Sequence, residues 1–202
     1  FETVINFGIA NDIITIEIEN VNTKALRALE QQGKKVFPQA YIIELIQDKQ
    51  AQKQFYKDHA IPTAIFVLTS NREDVMRHKN FLPAVNKLGR EGYDGRGVQI
   101  LRTSDDLERA FDAPGVLEKW IDFEKEIAVI VARNEQGEVV SYPAVEMVFH
   151  PEANLIEYLF APAQLNESVK KEADTLARKV IEELGMVGVL AVEMFVTKSE
   201  GV

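Results

Sequence analysis

Four of the chain's eleven glycines fall within nine residues, in the run Gly89-Arg-Glu-Gly-Tyr-Asp-Gly-Arg-Gly97. Lys87 stands two residues before the run, and Tyr93, Asp94 and Arg96 lie inside it with Gly92, Gly95 and Gly97. Glycine permits positive φ and close backbone approach, so a turn of this composition can set N–H groups and cationic side chains against an anion. The bland alternative is a long hairpin turn, for which Asp94-Gly95 is already a good signal. The glycine density together with the cations and a tyrosine favours a phosphate-handling loop.

Two carboxylates can do complementary chemistry. Glu193 lies in Val-Leu-Ala-Val-Glu-Met-Phe-Val, a run that reads as a buried central strand. A carboxylate there is costly unless paired or bound to a cation, so the choices are a metal ligand and a buried salt bridge. Mg²⁺ suits the first choice, because it takes one or two carboxylates plus phosphate oxygens. Glu126 begins another strand, where it can hold ribose hydroxyls or stay solvated. Between the glycine run and Glu126 lies Glu118-Lys-Trp-Ile-Asp122, a segment that leaves one sheet and enters another. The backbone of such a hinge can read an adenine edge, with Trp120 and Ile121 on its faces; the alternative for Trp120 is core packing.

Other chemistries are excluded. His59, His78 and His150 are scattered without metal spacing, and no Ser-His-Asp set can be assembled. The glycine run lacks the Gly-Lys-Ser/Thr ending of a Walker loop. There are no cysteines, so neither disulfides nor thiolate chemistry are available, which suits a reducing, cytoplasmic location. The balance of 23 basic against 32 acidic residues gives a net charge of −9 with no basic stripe, which argues against nucleic acid as a partner. No apolar run is long enough to span a membrane, so no membrane partner is expected.

The elements that must hold these residues alternate. Ile14, Ile16 and Ile18 alternate with polar residues and predict a strand over 13–19. Asn22 and Thr23 cap a helix that ends at Gly33. Apolar spacing over 40–57 predicts one helix, closed by Pro62. Then come a strand over 64–68, a helix opened by Ser70-x-x-Glu73, strands over 82–87 and 98–102 flanking the glycine run, a helix capped by Ser104, and a strand over 115–119. A second sheet follows with strands over 126–133, 139–142, 145–149 and 155–159. A helix opened by Asn166 buries Val169, Ala173, Leu176, Val180 and Leu184, and a strand covers 187–196. The class is α/β, or α+β with mixed sheets. The chain starts without methionine and stops in what reads as a hairpin, so both ends look cut.

Taken in order, several segments resemble the N5-carboxyaminoimidazole ribonucleotide synthetase family of ATP-grasp ligases. They are Glu17-Ile-Glu-Asn-Val-Asn22, Gln47 to Phe55 with Ile61-Pro-Thr-Ala64, and Gly92-Tyr-Asp-Gly-Arg-Gly97. Glu118 to Glu126, Tyr142-Pro143 and Gly188 to Phe195 continue the match. The resemblance implies an ATP-grasp fold: a small lid subdomain and a larger mixed or antiparallel sheet, preceded by the tail of a Rossmann-like pre-ATP-grasp domain. The implied boundaries are 1–40 for that tail, 41–61 for a linking helix, 62–121 for the lid and 122–202 for the central subdomain.

It further implies ATP-dependent carboxylation of 5-aminoimidazole ribonucleotide with bicarbonate, through carboxyphosphate, in purine biosynthesis. Lys49 and Lys87 would contact ATP phosphates, with Gly92 to Gly97 folded over them. Glu118, Lys119, Trp120 and Ile121 would hold adenine, Glu126 the ribose, and Glu193 Mg²⁺. Tyr93, Asp94 and Arg96 would also face the acceptor and carry catalysis, with Glu19 on the substrate side. Homodimers occur in the family, though no patch in the sequence argues for one. The alternatives are another ATP-grasp ligase, of the formate-dependent glycinamide ribonucleotide transformylase or biotin carboxylase kind, and a nucleotide-binding scaffold without catalysis. Glu91 departs from the family's usual glycine, and Phe149, beside His150, from its frequent histidine. The family's second metal carboxylate would fall beyond Val202, so the resemblance implies that this stretch alone does not turn over.

Overall fold

The structure is a computed structural model that describes residues 1–90, 92, 97–150, 156–198 and 201–202. In chain order the elements are α1 (Glu2–Ile9), β1 (Ile13–Thr15), α2 (Thr23–Gln31), β2 (Lys35–Phe37), α3 (Ala40–Ile46), α4 (Lys49–Asp58), β3 (Phe66–Thr69), α5 (Arg72–Arg77), β4 (Ala84–Leu88) and β5 (Val98–Leu101). There follow β6 (Gly115–Lys119), β7 (Phe123–Arg133), β8 (Val139–Ser141), β9 (Val145–Phe149), β10 (Ile156–Phe160), α6 (Glu167–Glu183) and β11 (Gly188–Thr197). Two compact units emerge: Phe1–Ile46 with Phe123–Val148 and Glu157–Val202, and Gln47–Asp122 with Phe149–Ile156.

In the first unit, β1 and β2 pair in parallel, Ile13 opposite Lys35 through Thr15 opposite Phe37. Ile14, Leu26, Leu29, Val36, Ala40 and Ile43 close a small core around them. The strand expected over 13–19 ends at Thr15, and Ile18 is exposed. The reason lies in its partner: β2 runs into Pro38, which has no N–H to extend the ladder. Asn22 caps α2 as expected, its Oδ1 accepting from Ala25 N at 3.0 Å.

The larger sheet of this unit has the order β10-β9-β7-β11, with β8 also paired to β7. Strand β11 pairs with β7 from Gly188 to Thr197, and Thr197 also forms an antiparallel bridge with Gly201. Alternate residues of β7 and β11 meet α6: Ile127, Val129, Met194 and Val196 are buried, as are Ala173, Ala177, Val180 and Ile181 of the helix. Asn166 caps α6 through Val169 N at 2.9 Å, and Gly185, at φ +59°, ends it.

The second unit holds a four-stranded antiparallel sheet, order β3-β6-β4-β5, and matches the expected strand-helix-strand-strand-helix-strand sequence. Val75, Phe81, Ala84, Leu101, Leu107, Ala110 and Leu117 form its core. Strand β6 starts on glycine for a steric reason: a Cβ on Gly115 would stand 2.2 Å from the Lys87 carbonyl oxygen. Three local expectations shift. The single helix over 40–57 is two, because Asp48 turns outward as an N-cap and accepts from Gln50 N and Ala51 N at 3.0 and 3.2 Å. Asn71, rather than Ser70, caps α5 by accepting from Asp74 N at 3.0 Å. The helix assigned to Ser104 is a 3-10 helix, Ser104–Arg109, opened by Thr103.

At that 3-10 turn, Asp106 Oδ2 accepts from the backbone N–H groups of Thr103 and Arg102, at 2.9 and 2.8 Å, and Arg109 reaches Oδ1. These donors, Thr103 first, lower the Asp106 carboxyl to about 2 from its ordinary 3.8. A depressed carboxylate adds stability that is complete above its unfolded value and is lost as pH falls through the folded one. Unfolding followed from neutral to acid pH therefore shows a stability loss between 3.8 and about 2 that Asp106→Asn lacks. An NMR titration placing the Asp106 carboxyl at its ordinary value refutes this.

Candidate functional site

The second unit gathers charged side chains on β4, β6 and α4. Glu118, the fourth residue of β6, is buried at 6% exposure, and its two oxygens face two lysines. Lys53 Nζ lies 3.2 Å from Oε1, and Lys87 Nζ donates to Oε2 at 3.0 Å. Strand pairing sets this up, because Val85 stands opposite Glu118 and Lys87 opposite Val116, so Lys87 and Glu118 are diagonal neighbours on one face. The two lysines differ in depth. Side-chain exposure is 28% for Lys87 and 11% for Lys53. Burial pushes the Lys53 ammonium below the ordinary lysine value; Glu118 opposes that shift and Lys87 adds to it.

Lys53 also donates to Thr63 Oγ1, and the rings of Phe66 and Tyr56 lie 5.8 and 6.0 Å from its nitrogen. Gln50, one turn earlier on α4, donates to the carbonyls of Thr69 at 3.0 Å and Gly115 at 2.8 Å. Polar side chains thus fasten α4 to β6 at two points. Lys49 opens the helix, its N–H donating to Gly89 O at 2.8 Å, while Arg90 pairs with Asp48 at 2.8 Å. The start of α4 is tied in this way to the end of β4, where the glycine run begins.

Of that run, Tyr93, Asp94, Gly95 and Arg96 lie outside the described residues, as does Glu91. Its base is described. Leu88 N donates to Gly97 O at 2.8 Å, Gly97 has φ +79°, and a Cβ there would come 2.9 Å from Gly92 Cα. Gly89 N donates to Pro114 O at 2.9 Å, and a Cβ on Gly89 would stand 3.0 Å from that oxygen. Part of the glycine density therefore answers to backbone packing and not to a ligand.

After β6 the chain reaches the segment expected to hold adenine. Trp120 is 41% exposed, which sets aside the core-packing alternative. The N–H groups of Lys119 and Trp120 are already given to Ile65 O at 2.8 Å and Pro83 O at 3.0 Å. Those two donors are not open to an adenine edge, contrary to the expectation for a bare hinge. The Glu118 side chain is committed to the lysines.

In the first unit, Glu126 stands opposite Phe195 and Ala128 opposite Glu193, so Glu126 and Glu193 are diagonal neighbours on one face of the β7–β11 ladder. That spacing is roughly 7–8 Å. It is the face turned away from α6, and Val189, Ala191, Glu193 and Phe195 are exposed along it. The expectation of a buried Glu193 is corrected. With α6 on one face of the ladder, alternate residues of β11 stay open on the other, and Glu193 falls among them. A buried salt bridge no longer explains this carboxylate. An exposed carboxylate with a second one diagonal to it suits Mg²⁺, whose remaining ligands are phosphate oxygens and water. Among the described residues no group of three metal-binding side chains is present. Glu19 is exposed and sits in a bend after β1, away from any strand. Sequence reasoning passed over Lys53; the one signal was its place one helical turn after Lys49 in a helix that has to bury some face.

A sequence model described as the ATP-grasp domain matches residues 54–202, and one described as the ribonucleotide synthetase preATP-grasp domain matches 1–47. The chain belongs to the ATP-grasp family. Within that family it is similar to the N5-carboxyaminoimidazole ribonucleotide synthase of Synechococcus elongatus, 34% identical over 193 residues that cover 92% of this chain and 48% of that protein. The crystal structure of N5-carboxyaminoimidazole ribonucleotide synthetase from Thermotoga maritima superposes with a TM-score of 0.86 at 36% identity, covering 100% of this chain and 52% of that one. N5-carboxyaminoimidazole synthase from Aspergillus clavatus, in complex with ADP and 5-aminoimidazole ribonucleotide, matches with a TM-score of 0.84 at 31% identity over 98% of this chain and 52% of that one. The chain thus spans about half the length of these ATP-grasp relatives. No helix among the described residues is long and apolar enough to cross a membrane.

Proposed function

We propose that the protein carrying this chain is an ATP-grasp ligase that carboxylates 5-aminoimidazole ribonucleotide with bicarbonate, giving N5-carboxyaminoimidazole ribonucleotide, ADP and phosphate. The observation that carries the reading is the Gly92-Tyr-Asp-Gly-Arg-Gly97 run behind Lys87, in a chain whose fold matches a relative complexed with ADP and 5-aminoimidazole ribonucleotide. A bicarbonate oxygen attacks the γ-phosphorus in line, the bond to the β-phosphate oxygen breaks, and ADP leaves. The amine of the acceptor then attacks the carbon of carboxyphosphate, and phosphate departs. Positioning and charge neutralisation carry such a transfer.

The residues divide that work. Lys49 and Lys87 hold phosphate oxygens, and Gly92 to Gly97 cover them. Tyr93, Asp94 and Arg96 meet the acceptor and the transferring group. Adenine rests against the Lys119 to Ile121 segment, with Trp120 on one face, and Glu126 holds the ribose. Glu193 ligates Mg²⁺, which supplies positive charge to the phosphates when bound. Glu19 serves the substrate side. The lid, 62–121, and the central subdomain, 122–202, are the proposed working divisions, following the linking helix 41–61 and the tail 1–40. With no cysteine in the chain, a cytoplasmic location fits the reading.

The test is ADP formation by the intact protein with MgATP, omitting bicarbonate or 5-aminoimidazole ribonucleotide in turn. ADP that depends on both supports the reading. Turnover with formate and glycinamide ribonucleotide, or with biotin, replaces the acceptor. Nucleotide binding without acceptor-dependent ADP leaves only a scaffold.

A further inference from the structure

Helix α4 reads Lys-Gln-Ala-Gln-Lys-Gln-Phe-Tyr-Lys-Asp, and the residue it buries is a lysine, Lys53. A buried ammonium is expensive, and an apolar side chain of similar volume could pack α4 on β6 without that expense. What the lysine adds is charge, delivered to one oxygen of Glu118 at 3.2 Å while Lys87 occupies the other at 3.0 Å. Two cations around one anion leave one positive charge in the cluster. Without Lys53 the three-residue cluster becomes a neutral Glu118–Lys87 pair.

From this geometry we infer that Lys53 is a positioning residue for nucleotide binding: it anchors Glu118 and shares its negative charge, so that Lys87 keeps its direction and its positive field for phosphate oxygens. The inference rests on the reading above in which Lys87 meets the phosphates. Lys53 touches no ligand; it acts through Glu118. Thr63 Oγ1 accepts from the same ammonium, and the faces of Phe66 and Tyr56 flank it, which fixes the nitrogen in one place.

A pH signature follows. The charged groups that bear on Lys53 are Glu118 from β6, Lys87 from β4 and Lys49 from its own helix, with the titratable Tyr56 ring beside it. Burial lowers the Lys53 ammonium, Glu118 resists, and the two lysines add to the lowering. As pH rises, Lys53 loses its proton before an ordinary lysine would, Glu118 falls back on Lys87, and nucleotide binding weakens. Arginine at this position stays charged throughout.

The experiment measures MgADP affinity, and KM and kcat for ATP, with intact wild-type protein, Lys53→Met and Lys53→Arg from neutral to alkaline pH. Lys53→Met weakens MgADP about tenfold and raises the ATP KM by a similar factor, with a smaller change in kcat. Lys53→Arg stays within about threefold and lacks the alkaline loss seen in wild type. Folded Lys53→Met that binds MgADP as tightly as wild type overturns the inference, as does an alkaline profile shared by wild type and Lys53→Arg. If Lys53→Met does not fold, the comparison of those two profiles decides alone. Wild-type protein that binds no nucleotide overturns the proposed function and this inference with it; binding that is normal in both wild type and Lys53→Met overturns only the inference.

Discussion

Glu118→Met lowers the stability of the second unit by about 3 kcal/mol at neutral pH, the usual consequence of stripping a buried charge of its counterion. Lys53 then keeps a hydroxyl and two aromatic faces, with Lys87, a like charge, as the nearest ionised side chain described in the cluster. The direction with pH identifies the cause. Burial already holds the Lys53 ammonium below its ordinary value, and removing Glu118, which opposes that shift, lowers it further. Where a lysine's folded pKa lies below its unfolded one, the unfolded chain binds more protons between the two, so stability rises with pH. The deficit of Glu118→Met is therefore greatest below the folded value and shrinks as pH climbs towards the ordinary lysine range. Urea unfolding at neutral and alkaline pH measures it. A midpoint equal to wild type at neutral pH, or a deficit that does not change with pH, contradicts the account.

Lys87→Met in the intact protein is expected to cut kcat/KM for ATP about 100-fold, the scale on which one preorganised charge at a transferring phosphoryl group acts. Its cost in stability is smaller than that of Glu118→Met, because Glu118 retains Lys53 and the Lys87 side chain is partly exposed. The two variants thus separate along different axes, one losing mainly fold and the other mainly turnover. Steady-state kinetics with urea unfolding of the same preparations distinguishes them. A kcat/KM within about threefold of wild type would remove Lys87 from the phosphate site.

Much of the scaffold was legible because it rests on local rules. The strands read over 115–119 and 145–149 match β6 and β9 at their observed bounds, Asn22 and Asn166 announced α2 and α6, and Gly33 and Gly185 ended those helices with positive φ. Where two local rules competed, the reading slipped by a residue or an element. Ser70 and Asn71 can each cap α5, and Asn71 prevails. Asp48 interrupts an apolar spacing that continues through it, and capping prevails over continuity.

By itself, the sequence determined the family, the order of strands and helices from β3 onward though not α1 or β2, and the residues proposed to meet a nucleotide: glycines, Lys49, Lys87, Glu126 and Glu193. Those follow from short-range spacing and from a motif that survives without its surroundings. Only the tertiary structure decided what each of those groups faces. Glu193 reads as buried from the apolar residues beside it, yet α6 covers one face of the β7–β11 ladder, and pleating turns the carboxylate to the other. Gly89 and Gly97 read as ligand contacts, yet backbone atoms crowd both. Lys53 drew no reading from the sequence, yet β6 presents Glu118 to it. Burial and charge pairing depend on residues 65 positions apart meeting where a helix packs on a sheet, and no local pattern encodes such a meeting.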